Sequence, residues 1–253
     1  MAELVVPSEL CRNKTTDPEA VVDAAVWLID HMCAHIGVRD LGGLDVLDVG
    51  CGVRFTQAFL NRAVPIKHYV GVDAARPVID FLRSNVSDRR FEFFHLDARN
   101  DRYNPTGRPL SEMTVPEIEG RRFDLICLFS VFTHLDPVDY VAMLRLLRRY
   151  VRPDGRLFYT LFINEQTGGG HGWADHCSRA SDDPRFPEAV ASRLTDAGEP
   201  PDYDDAIPNE PLSVALYSRR HAIELIDRTG WELLSVSPPD IHLQHHIVCA
   251  PSA

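Results

Sequence analysis

Hydrophobic and polar positions alternate in blocks along the middle of the chain. Five short apolar runs, at residues 44–49, 68–72, 91–96, 123–129 and 156–163, have the length and composition of buried strands. Helical spacing lies between most of them, and it is clearest over residues 137–151, where Asp136 is placed as a cap and Pro137 in the first turn. This alternation predicts a parallel sheet that helices cover on both faces.

The two ends of the chain extend this pattern. Asp17, Pro18 and Glu19 predict the start of a helix that runs to Ile36 and stops at Gly37. A further helix is expected over residues 218–229, a turn at 153–155, and strands at 231–236 and 245–250. The connection between these last two strands is shorter than the crossover of about a dozen residues that parallel neighbours need, so we expect them to pair antiparallel.

The predicted fold is therefore an α/β, Rossmann-like, doubly wound sheet of seven strands, mostly parallel with an antiparallel terminal strand. We expect one domain over residues 1–253, with an N-terminal helical extension at 1–37 and an inserted lid or substrate region at 164–213. The insertion is rich in Gly, Pro and Asp, with a hinge predicted at 168–170 and a short helix at 187–194. Long loops of this kind in compact domains are commonly functional.

Charge and cysteine content narrow the class of protein. The formal net charge of −11 argues against a nucleic-acid partner, which requires a basic face. No apolar run approaches the roughly 20 residues of a membrane span, and the first residues lack the features of a signal peptide, so a cytoplasmic protein is expected. No Cys-x-x-Cys pair is present, and Cys51, Cys127 and Cys249 lie in apolar runs as expected for core residues.

A glycine loop, residues 48–52 (Asp-Val-Gly-Cys-Gly), closes the first predicted strand. Ligands bind at the carboxyl ends of the strands in open α/β sheets, and glycine lets the backbone approach them closely. A dinucleotide site needs a third glycine at the position that Phe55 occupies here, so that interpretation is weakened. S-adenosylmethionine has no pyrophosphate, and its cationic groups favour nearby carboxylates.

Two further acidic residues end the next two strands. Asp73 follows the second strand, where a carboxylate can accept both ribose hydroxyls, and Asp97 follows the third, where it can accept from an adenine amino group. Each aspartate alone is equally well explained as a turn or helix cap. Together with the glycine loop they favour an adenosyl cofactor.

At these residues the chain resembles the class I S-adenosylmethionine-dependent methyltransferases, and in particular a bacterial group with three shared motifs. The motifs stand here as Gly-Cys-Gly at 50–52, Tyr-Asn-Pro-Thr-Gly at 103–107 and Ser-Val-Phe-Thr-His at 130–134. The resemblance covers about residues 17–163 and, more loosely, 216–251. The chain departs from the family pattern at Arg54, where a glycine is usual.

The resemblance implies a set of cofactor-binding residues. Asp48, Gly50 and Gly52 would flank the methionine part, with Cys51 between the glycines, and Asp73 beside Ala74 would hold the ribose. The adenine would lie by Asp97 and Ala98, and the sulfonium by Phe129 and Ser130.

The acceptor is less well defined by the sequence. His134 is the candidate general base, and the alternative is that it packs beneath the cofactor or caps the next helix. Other candidate groups in the insertion are His171, Asp175 and His176, which match no strong metal-binding pattern, so no metal is assigned. Residues 245 and 246, both histidines, are expected in an edge strand as structural or substrate-facing groups. Three aromatic residues of the insertion form a lid or anchor the loop: Trp173, Phe186 and Tyr203.

These observations predict a methyltransferase that uses S-adenosylmethionine and methylates a small-molecule, sugar or lipid-linked acceptor at oxygen. Two alternatives remain open, a catalytically silent adenosyl-binding module and a dinucleotide-dependent oxidoreductase. The sequence fixes neither the acceptor nor the oligomeric state.

Overall fold

The computed structural model describes residues 3–10, 17–100, 104–175, 201–207, 210–239 and 243–252. Within them the strands are β1 (Leu41–Val49), β2 (Ile66–Asp73), β3 (Phe91–His95), β4 (Phe123–Leu128), β5 (Val151–Ile163), β6 (Tyr203–Asp205), β7 (Ala215–Tyr217), β8 (Trp231–Ser237) and β9 (His245–Pro251). The helices are α1 (Pro18–Ile36), α2 (Arg54–Asn61), α3 (Arg76–Asn85), α4 (Pro137–Arg148) and α5 (Arg219–Glu224).

The main sheet has the predicted topology. Strands β3, β2, β1, β4 and β5 lie side by side in that order and are all parallel. Strand β9 pairs antiparallel with β5, and β8 pairs antiparallel with β9. The strand order reverses between β1 and β4, which leaves a crevice at their carboxyl ends where α/β sheets of this kind bind ligands.

Helices pack on both faces of the sheet, as expected from the alternating pattern. One buried apolar cluster joins α1, α2 and α3 to one face, and another joins α4 and α5 to the opposite face. The strands contribute alternate side chains to the two clusters, so that Val46 faces the first and Leu47 the second.

Local capping explains where several helices begin. The Asp17 carboxylate accepts hydrogen bonds from two backbone amides of α1, and the Asp136 carboxylate accepts one from Asp139 at the start of α4. Gly37 ends α1 in the left-handed conformation, at φ +76°. Helix α4 stops at Arg148, earlier than predicted, and only residues 219–224 of the helix expected over 218–229 are helical.

The predicted turn at residues 153–155 is wrong. Strand β5 runs continuously through it. The pairs with β4 that flank the segment, at Val151 and from Arg156 onward, keep the chain extended despite the local Pro-Asp-Gly signal. Phe123 of β4 pairs with Val151, and Leu125 pairs with Arg156, so five residues of β5 span a step that takes two in β4. The segment is an irregularity within the strand and leaves the later register intact.

A small antiparallel strand pair that the sequence did not reveal joins the inserted region to the residues that follow it. Strand β7 pairs parallel with the last two residues of β5, and β6 pairs antiparallel with β7. A separate apolar cluster beneath it contains Phe162, Trp173 and Leu216. The helix predicted at 187–194 lies outside the described residues. Among the helices that are described, none has the length and apolar character needed to cross a membrane.

Candidate active site

Two neighbouring cavities lie at the carboxyl ends of the central strands. The larger has a volume of about 220 Å³, and the smaller about 70 Å³. The residues that line both are Gly50, Ser130, Val131 and His134. Asp48, Cys51 and Phe129 line only the larger cavity, whereas Asp73, Ala74 and Ala98 line only the smaller one. The two cavities therefore bring together most of the residues that the sequence singled out.

The glycine loop crosses the boundary between the cavities. Gly50 and Gly52 have φ values of +75° and +51°, in the left-handed region that favours glycine. A Cβ atom at Gly50 would lie 2.4 Å from Cγ2 of Val131, so the backbone contacts this side chain directly. The Gly50 and Cys51 amides donate to the carbonyl oxygen of Val72, which ties the loop to β2. The loop is held by its backbone and leaves no room for a side chain at Gly50.

Asp48 places a buried carboxyl group in the wall of the larger cavity. Its side chain is buried and accepts a hydrogen bond of 2.5 Å from the Tyr69 hydroxyl. Burial raises the pKa of Asp48 to about 7, and the neighbouring carboxylate of Asp73 acts in the same direction. A cationic ligand in this cavity would favour the charged form of Asp48.

Asp73 supports the glycine loop as well as the smaller cavity. One carboxylate oxygen accepts from the Gly52 amide at 2.9 Å, and the other from the Ala75 amide at 2.8 Å. The predicted cap-like role of this aspartate is therefore present in the structure. A carboxylate has about four acceptor positions, so one carboxylate can accept from backbone amides and from a ligand hydroxyl together.

Asp97 lies at the surface beside the second sequence motif. Its carboxylate accepts from the Asn104 side-chain amide, which also donates to the carbonyl oxygen of Ala98. A Cβ atom at Gly107 would lie 2.6 Å from the Ala98 carbonyl carbon, so this glycine permits the close approach of the loop. Asp97 lines neither cavity, whereas Ala98 lines the smaller one. Tyr103 of the motif lies outside the described residues.

Helix α2 starts directly after the glycine loop. Arg54 is its first residue, so the helix begins without the extra glycine of the family pattern. The Arg54 charge lies close enough to oppose the rise in the Asp48 pKa. Phe55 is buried and packs edge-on against Phe129, with ring centroids 4.9 Å apart. An aromatic ring thus fills the position where a dinucleotide site needs glycine.

Ser130 turns the chain at the end of β4. Its φ is +56°, which is uncommon for a residue with a side chain and is found at functional sites. The Ser130 amide donates to the Thr160 hydroxyl at 2.9 Å, and its own hydroxyl pairs with the side-chain amide of Gln244. These contacts from β5 and the start of β9 hold the Ser130 turn between the cavities.

His134 ends a short 3-10 turn, Phe132–His134, and its half-buried side chain lines both cavities. Its Nδ1 lies 2.9 Å from the carbonyl oxygen of Leu212 in the insertion. A carbonyl oxygen can only accept, so Nδ1 carries the proton and the neutral ring has its lone pair on Nε2. The ring is therefore oriented by the insertion and exposed to the site.

The described insertion residues that were proposed as a lid or as additional bases line neither cavity. Trp173 is buried and packs on Phe162, and Tyr203 packs on Tyr217, so both anchor the region. Asp175 accepts from the amide and hydroxyl of Thr167. His171 lines neither cavity. Other insertion residues lie outside the described part of the chain: His176, Cys177 and Phe186.

The histidines at 245 and 246 do not lie in an edge strand, since β9 is enclosed between β5 and β8. Both are fully buried. His245 contacts Glu165 at 2.8 Å, and Arg219 binds the same carboxylate through two nitrogens. Burial alone would raise the pKa of Glu165, but the hydrogen bonds from Arg219 and His245 outweigh it and lower the pKa to about 2. Sequence spacing gave no sign of this network.

The donor set of the two cavities fits S-adenosylmethionine. The larger cavity has a buried carboxyl group, which suits a cationic ligand. The smaller cavity combines Asp73 with apolar walls from Leu96, Ala98, Leu110 and Met143, which suit a nucleoside. A dinucleotide would need a glycine in place of Phe55, so that alternative has no support in this structure.

Comparison with known proteins finds methyltransferases. A curated relative, the cypemycin N-terminal methyltransferase of a Streptomyces species, is 28% identical over 134 residues. The match covers 52% of this chain and 44% of the relative, so it spans less than half of the relative's length.

Solved structures share the fold. The PH0226 protein of Pyrococcus horikoshii OT3 superposes with a TM-score of 0.57 at 14% identity, over 98% of this chain and 97% of that one. The magnesium protoporphyrin IX methyltransferase of Synechocystis PCC 6803, solved with bound SAH, gives a TM-score of 0.52 at 12% identity, over 97% and 92% of the two chains. At these identities the likeness shows the fold alone.

A family model described as a methyltransferase domain matches residues 34–236, which is well over half of the chain. The matched range includes every residue that lines the smaller cavity and all but Leu10 of those that line the larger one. The chain therefore belongs to this methyltransferase family.

Proposed function

We propose that this protein transfers the methyl group of S-adenosylmethionine to a hydroxyl oxygen of an acceptor, with His134 as the general base. The acceptor is a small molecule, a sugar or a lipid-linked compound. The observation that carries the proposal is the contact between Nδ1 of His134 and the Leu212 carbonyl. It fixes the tautomer in which Nε2 is the acceptor for a proton.

The chemistry requires little beyond position and a proton acceptor. When bound, S-adenosylmethionine supplies a methyl group that is already activated for displacement. A neutral hydroxyl becomes a better nucleophile as its proton leaves, and an imidazole is suited to accept that proton near neutral pH. His134 lines the larger cavity together with Phe129 and Ser130, so an acceptor there would lie within reach of its ring.

We assign the cofactor-binding residues in the same way. Asp48, Gly50, Cys51 and Gly52 would hold the methionine end, which is supported by the buried carboxyl group in the larger cavity. The ribose would lie by Asp73 and Ala74, the adenine by Ala98 and Asp97, and the sulfonium by Phe129 and Ser130. The lining of the smaller cavity supports Asp73, Ala74 and Ala98 in these roles. Asp97 has weaker support, because it lines neither cavity.

An amine acceptor is the second candidate. The curated relative is named as an N-terminal methyltransferase, and an ammonium group must also lose a proton before it can attack. The net charge of −11 disfavours a strongly anionic acceptor in either case, and nucleic acid most of all. Paired acceptors that differ only in carrying a hydroxyl or an amino group would separate the two candidates.

The test of the base uses His134→Ala beside a matched control, His221→Gln. His221 is a half-buried histidine of α5 that contacts Glu224 and lines neither cavity. With an accepted hydroxyl substrate, His134→Ala should lower kcat by about 10²- to 10⁴-fold, the usual contribution of general base catalysis. Calorimetry should show cofactor affinity within a few fold of the unmodified protein. Full turnover by His134→Ala would reject the base, and exclusive transfer to amino acceptors would reject the oxygen assignment.

A further inference from the structure

Three histidine rings meet at a point that lies outside both cavities. His31 and His35 stand one turn apart on α1, so their side chains share a face of the helix, and His246 faces them from β9. Nε2 of His31 lies 3.0 Å from Nε2 of His35 and 3.3 Å from Nδ1 of His246. A ring nitrogen from each of the three residues lies within 4.8 Å of the other two. We call these three residues the histidine cluster.

We propose that the histidine cluster binds one divalent transition-metal ion of the zinc class through three imidazole nitrogens, and that the ion fastens α1 to β9. Imidazole nitrogen is a preferred ligand of Zn²⁺ and of its neighbours in the series. Three protein ligands would leave a fourth position for water.

Hydrogen bonds alone do not account for both close nitrogen contacts of His31 in the cluster. A neutral imidazole nitrogen has either one proton or one lone pair. Nε2 of His31 therefore makes one well-directed hydrogen bond, yet it approaches two other ring nitrogens at hydrogen-bonding distance. A cation placed among the three nitrogens would use all three lone pairs at once.

The nitrogen separations match those of a metal site. Zinc–nitrogen bonds of about 2.0–2.1 Å in a tetrahedral arrangement place the ligand atoms about 3.3–3.4 Å apart. The measured contacts of 3.0 and 3.3 Å are close to this value. The third nitrogen pair, between His35 and His246, lies within 4.8 Å.

Neighbouring groups hold the rings in these orientations. Trp27 stacks on His31 with centroids 4.7 Å apart, and Phe158 stacks on His246 at 5.8 Å. The second ring nitrogen of His35 lies 3.4 Å from the Ser237 hydroxyl. Such contacts behind the ligands fix which nitrogen faces the ion.

The position of the cluster points to a structural role. His246 is fully buried, whereas His31 and His35 are half-buried and give an ion a path from the surface of α1. An ion bound to His35 and His246 would join segments 211 residues apart in the sequence. Because no member of the cluster lines either cavity, the ion would stabilise the fold without contact with the reacting groups.

The test uses tag-free protein, stripped with chelator and titrated with Zn²⁺ in competition with a chromophoric chelator. The unmodified protein should bind one equivalent, and its thermal midpoint should rise when Zn²⁺ is added. His31→Gln and His35→Gln should each weaken binding at least tenfold and abolish the thermal shift. The control His221→Gln should behave like the unmodified protein.

Cobalt provides a second measurement that needs no substitution. Co²⁺ bound by three imidazoles and water in a four-coordinate site should give intense visible absorption bands that Zn²⁺ removes. The proposal is overturned if the unmodified protein binds no stoichiometric metal, if His35→Gln retains full affinity, or if bound Co²⁺ shows only the weak spectrum of an octahedral aqua complex. In the first case the cluster is a chain of hydrogen-bonded histidines.

Discussion

The close contact between Gly50 and Val131 gives a prediction whose size can be worked out from the structure. In Gly50→Ala the new methyl group meets two penalties. A left-handed backbone costs a residue with a side chain about 1–2 kcal/mol, and the methyl would lie 2.4 Å from Cγ2 of Val131. Val131 is β-branched and half-buried against the apolar cluster, so it yields reluctantly, and crowding of this kind costs about 1–3 kcal/mol.

Gly37 supplies a matched control for the backbone penalty. Its φ of +76° is almost identical to that of Gly50, and nothing lies within 4 Å of a Cβ atom built there. Gly37→Ala should therefore lower the free energy of unfolding by about 1–2 kcal/mol, and Gly50→Ala by about 2–5 kcal/mol. Urea unfolding with an unchanged m-value would measure both.

Adding Val131→Ala to Gly50→Ala separates the clash from the strain. The double variant removes the atom that the new methyl meets, so the two substitutions should couple favourably by about 1–2 kcal/mol in a double-mutant cycle. Equal losses in Gly50→Ala and Gly37→Ala, or strictly additive effects in the cycle, would refute the close packing described for the loop.

Three other predictions concern two carboxyl groups with shifted pKa values and a helix cap. Since burial raises the pKa of Asp48 from 3.8 to about 7, its contribution to stability is complete below about pH 4 and is lost as the pH rises towards 7. Asp48→Asn should stabilise the cofactor-free protein by about 1–3 kcal/mol in urea unfolding at pH 8 and weaken binding of the cationic cofactor; a less stable variant would count against this. The contribution of Glu165 to stability depends on pH in the opposite direction, because its pKa falls from 4.5 to about 2. Glu165→Gln should lower stability by about 1–3 kcal/mol at pH 7, with the difference shrinking as the pH falls from about 4.5 towards 2, and a pH-independent difference would contradict it. Asp136→Ala removes the cap of α4 and should lower the unfolding free energy by about 1 kcal/mol, whereas Asp136→Asn should retain most of it.

Features with local causes could be predicted from the sequence. The start of α1 at Asp17 and Pro18 and its end at Gly37 agree with the structure because capping acts within one turn. The five parallel strands and the antiparallel pair also agree, since buried strands impose a continuous apolar run.

Features with long-range causes could not be predicted. The Pro-Asp-Gly segment at 153–155 has strong turn residues, yet the pairs with β4 on either side of it keep it within β5. Strands β6 and β7 have three residues each and depend on the end of β5, so no periodic signal marks them. The meeting of His246 with His31 requires α1 to lie against β5 and β9, which no sequence motif specifies.

In the candidate site, too, some features follow from the sequence pattern and others depend on long-range contacts. The glycine loop and Asp73 follow successive strands, so their proximity is a consequence of the parallel order. The carbonyl that orients His134 belongs to Leu212, whose approach depends on the folding of the insertion. The sequence therefore indicated the cofactor class and left the acceptor open.

The central claim is that the two cavities form one S-adenosylmethionine site. Isothermal titration of the folded protein with S-adenosylmethionine and with its demethylated product, S-adenosylhomocysteine, tests it most directly. The structure predicts binding of one equivalent of each per chain, weakened at least tenfold in Asp73→Ala with the fold retained by circular dichroism. Absence of heat with both ligands, from protein shown to be folded, would contradict the account.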